Sequence, residues 1–399
     1  MSARADALLT AEAVRSHCAQ IMALAEQDRA PHFTLQMQQM PAAAAWVADT
    51  IRLQYPDLDV PYHSRWRHFE AGGIDRWGRL AAAQELSGTE RARTRIDLVI
   101  PSVLLDAGAG ADWRYQDADG MPLARSEGLG VASLALFASG ALSDDASQPL
   151  RADAAALVRL TEDTLAQAFQ VTPSNPLVGL AGRAALLQRL GAAMAVRPDI
   201  FGMPARIGNL YDALATRADN GRIEAAAVLE LLLQALGPVW PGRIELDGVG
   251  LGDCWRHPGT DDGLVPFHKL TQWLTYSMLE PLEEAGLTVT GLDMLTGLPE
   301  YRNGGLLLDF GVIAPRDASF FTRVLAVDEP AVVEWRALTV MLLDRMADAV
   351  RAELGVSAAA FPLARILEGG TWAAGRRIAA VRRPGGAPPV SIASDGTVF

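Results

Sequence analysis

Apolar residues recur at three- and four-residue spacing along most of the chain, the pattern of helices that bury one face. One run, 229–236, extends back to residue 225, and 332–350 carries Val333, Leu338, Met341, Leu342, Met346 and Val350 on one stripe. The segments 154–168, 180–196 and 266–285 read as further helices, the last with Pro266 in its first turn and a kink at Pro281. Strand signals are few: 96–105, interrupted by Pro101, and 287–289. Helix and strand do not alternate as in βαβ units, and neither a GxGxxG turn nor a phosphate-binding P-loop is present. The pattern predicts a mainly α, multi-helix globular fold with few short strands. It forms a single domain over 1–399 of two packed lobes, 1–145 and 150–399, joined by an exposed connector at 144–150. The Pro/Gly-rich stretch after Arg382 holds Val390, Ile392, Val398 and Phe399, which are costly to leave in water, so it is expected to dock on the body.

Composition narrows the function classes. At 399 residues and 50% hydrophobic, the chain has the apolar content a disordered polymer lacks, and two cysteines, Cys18 and Cys254, cannot build a disulfide framework. With 35 basic against 47 acidic residues the net charge is −12, a surface that repels a phosphate backbone and argues against a nucleic-acid partner. No run approaches the about 18 apolar residues of a membrane span. The best candidate, 131–142, is broken by Ser133, Ser139 and Gly140, and the first residues include Asp6 and Glu12 rather than a signal sequence. A cytoplasmic protein without a membrane partner is the expectation; the oligomeric state stays open.

Candidate chemistry is best found by elimination. The six histidines form no HExxH or HxH pattern, so neither a metal site nor any other cofactor is expected. Cys254 follows Asp253, which disfavours a thiolate, and no GxSxG elbow occurs. Among 35 basic residues, all but Lys269 are arginine. In a chain where arginine has replaced lysine everywhere else, the survivor marks a place for a compact ammonium of tunable pKa, unless it persists by chance. Lys269 falls in the first turn of its helix, where a cation opposes the helix dipole and needs a compensating anion, a substrate phosphate or a carboxylate. Glu300, at a second helix start between apolar runs, is either an ordinary N-terminal acid or a catalytic carboxylate paired with Lys269.

The string Phe267-x-Lys269-x-x-Gln272, followed by Glu300-Tyr301-Arg302 and the apolar run 306–312, resembles the queuosine-salvage nucleoside glycosylases. That family carries a Lys-Arg-Ala-Gln helix and an Asp-Tyr-Arg-Val-Pro-Gln segment. The likeness covers mainly 175–315, with echoes at 106–115, and implies a similar helical fold. Here glutamate stands for the aspartate and Asn303-Gly304-Gly305 for Val-Pro-Gln, so the substrate should differ. A longer resemblance spans nearly the whole chain. HSRWRHFEAGG (63–73), DLVIPSVLLDAGAGADWRY (97–115), RSEGLGVASL (125–134), LEGGTWAAGR (367–376) and SDGTVF (394–399) look like a family tied to uracil catabolism. It is named as the fourth component of the URC pathway. The resemblance implies a route that carries uracil through a ribonucleotide and liberates urea.

Together the two resemblances imply N-glycosidic cleavage. Breaking a C1′–N bond builds positive charge on the ribose, which a fixed carboxylate stabilises while it orients or deprotonates the attacking water. Glu300 would be that carboxylate; Lys269 would keep it ionised or donate to the leaving group. Phe267, Gln272 and Tyr301 would bind substrate beside them. Asp106 and Asp112 could hold ribose hydroxyls and Trp113 could stack on a ureido plane, though a tight turn with a core tryptophan explains that string as well. Arg65 and His68, with Arg67, around Trp66 could cradle a phosphate, or Glu70 could simply pair with one of them. Gly369-Gly370-Thr371 suits a phosphate at a helix start or a helix C-cap, and 125–127 reads as a structural helix start. The implied substrate is a ribosylurea, with or without a 5′-phosphate. An amidohydrolase of a ureido intermediate and a non-catalytic intermediate-binding protein remain as alternatives.

Overall fold

The computed structural model describes residues 3–106, 108–240 and 244–393. Among them helices dominate, and the strands, two or three residues long, pair only as two-stranded ribbons. Helices Ala225–Leu236, Leu180–Ala195 and Pro330–Leu354 lie where the apolar stripes predict them. The Pro330–Leu354 helix packs against both Ala11–Glu26 and Met40–Gln54, and its stripe residues Val333, Leu338, Leu342, Met346 and Val350 are buried. Buried apolar residues form one continuous cluster from Ala5 to Val390, so the two stretches expected as lobes share a core. The connector at 144–150 is largely exposed. No helix among the described residues is long and apolar enough to cross a membrane.

Several local expectations are corrected. The strand expected at 96–105 is the second half of a helix, Gly88–Leu104. Every residue from Thr94 to Leu104 is buried there, so no polar face betrays the helical period, and an apolar run of that kind reads equally well as a strand. Pro101 only removes one backbone donor. The 154–168 stretch is two helices, Ala154–Arg159 and Glu162–Ala168, the second capped by Thr161 Oγ1, which accepts from the Thr164 N–H at 3.2 Å. Pro266 closes a strand, Leu264–Pro266, antiparallel to Cys254–Arg256, instead of opening a helix. His268, at φ 48°, then turns the chain, and Lys269 begins the Lys269–Glu284 helix, with Pro281 inside it. Gly369-Gly370-Thr371 neither starts nor ends a helix. It lies in a π-helical turn, Leu367–Trp372, between helices Leu363–Ile366 and Ala373–Arg382. These glycines serve close packing: a Cβ on Gly369 would sit 2.8 Å from Val60, and one on Gly370 2.9 Å from Val47.

Strand Thr288–Thr290, near the predicted 287–289, pairs parallel with Arg222–Glu224. The chain after Arg382 docks as expected from its apolar residues: Val390 is buried, and Ser391–Ala393 pairs parallel with Val324–Ala326. Val398, Phe399 and the SDGTVF string lie outside the described residues.

Candidate active site

Lys269 and Glu300 come from different helices, and each is fixed by the way its helix begins. The Lys269 backbone N–H donates to Asp253 Oδ2 at 3.0 Å. Arg336 grips the same carboxylate with two nitrogens at 2.9 and 2.8 Å, and Trp255 Nε1–H donates to it at 2.6 Å. Although burial works against its charge, Arg336 holds the Asp253 carboxyl well below the usual range. Asp253 is thus the anion that a cation at this helix start calls for.

Glu300 caps the Tyr301–Asp309 helix. Its Oε2 accepts from the Arg302 N–H at 2.7 Å and its Oε1 from the Asn303 N–H at 2.5 Å. The plain reading of an N-terminal helix acid is therefore realised, and with both oxygens held the carboxylate cannot swing. The two helix starts are clamped together by Gln272. Its Nε2 donates to Thr296 Oγ1 at 2.6 Å, and its Oε1 accepts from the Thr296 N–H at 2.8 Å. One turn on, the Tyr276 hydroxyl donates to the Thr296 carbonyl at 2.9 Å. Only three residues lie between Thr296 and Glu300, so the Lys269 helix sets where the glutamate stands. Asn303-Gly304-Gly305 also has a packing reason: a Cβ on Gly304 would lie 2.7 Å from the Trp335 ring, whose Nε1–H donates to the Gly304 carbonyl.

Both side chains line one cleft of about 450 Å³, a size that suits a small ligand. Its wall includes His63, His68, Asp106, Arg125, Ser126, Trp273, Tyr301, Arg302 and Trp372. Burial pushes the Lys269 ammonium down to about 8, with Arg336 acting in the same sense against Glu300, Asp253 and Asp106. Burial also raises Glu300, opposed by the two backbone N–H groups and by Lys269. Asp106 is likewise raised by burial, against the pull of Arg65, whose NH1 lies 2.7 Å from Asp106 Oδ1. His68, buried and close to Arg65, is held well below the ordinary histidine value and stays uncharged at neutral pH.

Of the residues singled out in the sequence, Lys269, Glu300, Tyr301, Asp106 and His68 meet in this cleft. Arg65 and Gln272 stand behind its wall; Arg65 holds Asp106 and donates from Nε to Ser102 Oγ at 2.7 Å. Four others are elsewhere. Trp113 is a core residue, its Nε1–H donating to the Phe169 carbonyl, and Asp112 is exposed outside the cleft. Trp66 donates to the Ser277 carbonyl with Arg95 stacked 3.8 Å above its ring. Phe267 is buried beneath Arg336, 4.1 Å from ring centre to guanidinium. Glu70 does pair with Arg67, at 3.4 Å, and Arg67 also reaches Glu280 at 2.7 Å.

The cleft also takes in His63, Trp273 and Trp372, and the docked segment 386–392 supplies Gly386, Val390 and Ile392 to its wall. His63 and Trp372 did stand in two of the long strings, HSRWRHFEAGG and LEGGTWAAGR, but no spacing rule links them. Away from the cleft, His32, His257 and Glu334 bring possible metal-ligating atoms within 4.8 Å of one another. However, His257 Nδ1 accepts from the Gly259 N–H at 3.0 Å, which puts the ring proton on Nε2, facing Glu334 Oε2 at 3.3 Å. A metal on Nε2 would force Nδ1–H against that backbone donor, while Nε2 and Glu334 Oε2 face each other with no hydrogen bond between them.

Comparison with known proteins agrees with the extent of the fold. Uracil catabolism protein 4 of Lachancea kluyveri is 39% identical over an alignment of 428 positions that covers 97% of each chain. Protein urg3 of Schizosaccharomyces pombe is 38% identical over 401 positions, 98% of each chain. A family model described as "Protein of unknown function (DUF1688)" matches residues 7–399. A match that takes in every segment of the cleft, from His63 to Ile392, makes this chain a member of the DUF1688 family.

Proposed function

We propose that this protein acts in uracil catabolism as a hydrolase of an N-ribosyl bond, with a ribosylurea, with or without a 5′-phosphate, as substrate. The pathway is taken from the name of the Lachancea kluyveri relative. The chemistry rests on one observation: a clamped carboxylate, Glu300, and the sole lysine, Lys269, share a cleft large enough for a sugar.

Glu300 lies at the site of developing positive charge on C1′ and takes a proton from the attacking water. Because both oxygens already accept backbone hydrogen bonds, the charge needs little reorganisation as the bond breaks. Lys269, after the two backbone N–H groups, opposes the rise that burial imposes on this acid. Asp106, held by Arg65, binds ribose hydroxyls, and Arg125 with Arg302 gives a 5′-phosphate its countercharge. The test is sugar release from ribosylurea by the purified protein. Glu300→Gln, which keeps one capping oxygen, should lose kcat by about 100-fold or more. Unchanged turnover in that variant would sink the proposal.

A further inference from the structure

We infer that His63, Glu368 and Trp273 form the leaving-group subsite of this cleft, built for a planar amide such as a ureido group, with His63 as its proton donor. This rests on the N-ribosyl hydrolase reading. His63 Nδ1 lies 2.7 Å from Glu368 Oε2, and the two side chains are only 7% and 12% exposed. A carboxylate at Nδ1 fixes the ring tautomer and leaves Nε2 as the nitrogen available to a ligand. The His63 ring packs against Trp273 and Trp372, with centroids 6.2 and 6.1 Å apart. His68 packs against the same two rings at 5.8 and 6.2 Å.

All four rings line the cleft, which gives a flat ligand aromatic walls. Trp273 adds a directional signal: it is 7% exposed and its buried Nε1–H has no hydrogen-bond partner. A buried donor without a partner is costly, and a carbonyl oxygen on the ligand would satisfy it. A ureido group is flat, carries that acceptor, and departs as a basic nitrogen that must gain a proton.

The step balances without a co-reactant. The C1′–N electron pair goes to the leaving nitrogen, which takes the Nε2 proton of the His63 imidazolium, whose Nδ1–H stays hydrogen-bonded to Glu368. The water oxygen bonds to C1′ and gives its proton to Glu300. Substrate and water become free sugar and urea, and the proton on Glu300 returns to His63 through solvent. Glu368 acts through His63 as a positioning residue.

The test is a series of ribosides with leaving groups of falling basicity, from ribosylurea to 4-nitrophenyl riboside, whose phenolate needs no proton. His63→Gln should lose about 100-fold or more in kcat on ribosylurea and under about fivefold on the nitrophenyl compound, so its rates depend more steeply on basicity. Glu368→Gln, which keeps the hydrogen bond without the charge, should show the same selectivity at smaller size. Losses that are equal across the series, or absent, overturn the assignment even if Glu300→Gln abolishes sugar release. If the wild-type protein releases no sugar from any member, the hydrolase reading fails. The subsite is then decided by calorimetry, in which Trp273→Phe must weaken ribosylurea binding about tenfold. Unchanged affinity overturns it as well.

Discussion

A buried ammonium is held at a cost, and Lys269 is a direct case. Its folded-state value of about 8 lies below the ordinary 10.5 because burial disfavours the charged form. Below pH 8 folded and unfolded chains both carry the proton, and the folded state bears the whole desolvation penalty. Between about 8 and 10.5 the folded chain releases the proton first, so the unfolded state binds more protons and stability rises with pH. Lys269→Met should therefore stabilise the protein by about 1–3 kcal/mol at pH 7 in urea unfolding. That gain should shrink steadily as pH climbs from 8 to 10.5, while sugar release is lost at every pH. A residue whose removal strengthens the fold and abolishes turnover is retained for its chemistry.

At the scale of elements, the decisive contact is the clamp from Gln272 to Thr296, which ties one helix start to the other. Gln272→Leu leaves the Thr296 N–H and hydroxyl without these partners and should cost about 1–3 kcal/mol in unfolding free energy. Sugar release should fall further than that loss of stability explains, because Glu300 drifts from C1′; comparing kcat with the urea midpoint separates the two effects. Helices with one less buried stripe, such as Ala225–Leu236 and Pro330–Leu354, were legible in the sequence, since the contrast between faces is what periodicity detects. Gly88–Leu104 was not, because its second half has no wet face. Lys269 was legible through its rarity, and Glu300 through a resemblance. Glu368 was not: its partner His63 is 305 residues away, and only the fold joins them. The π turn that carries Glu368 and Trp372 has no composition of its own to announce it.

The whole molecule closes the cleft with its latest segment. Arg302 NH1 donates to the Gly386 carbonyl at 3.1 Å, Arg383 pairs with Asp309 at 2.5 Å, and Val390 and Ile392 complete the wall. Val390→Asp would put a carboxylate at a position that is 2% exposed, a cost of several kcal/mol that this short segment cannot match. The expected result is unchanged helical content by circular dichroism, rapid tryptic cutting after Arg382, and a raised KM for ribosylurea. The order of the wall along the chain has a further effect during biosynthesis. Domains form from the amino end as the polypeptide emerges, at about 5–20 residues per second. The first wall residue, His63, leaves the ribosome more than three hundred residues before Ile392 does. Until that stretch is free of the exit tunnel the pocket lacks one side, so a nascent chain cannot enclose a ligand there however well the rest has settled.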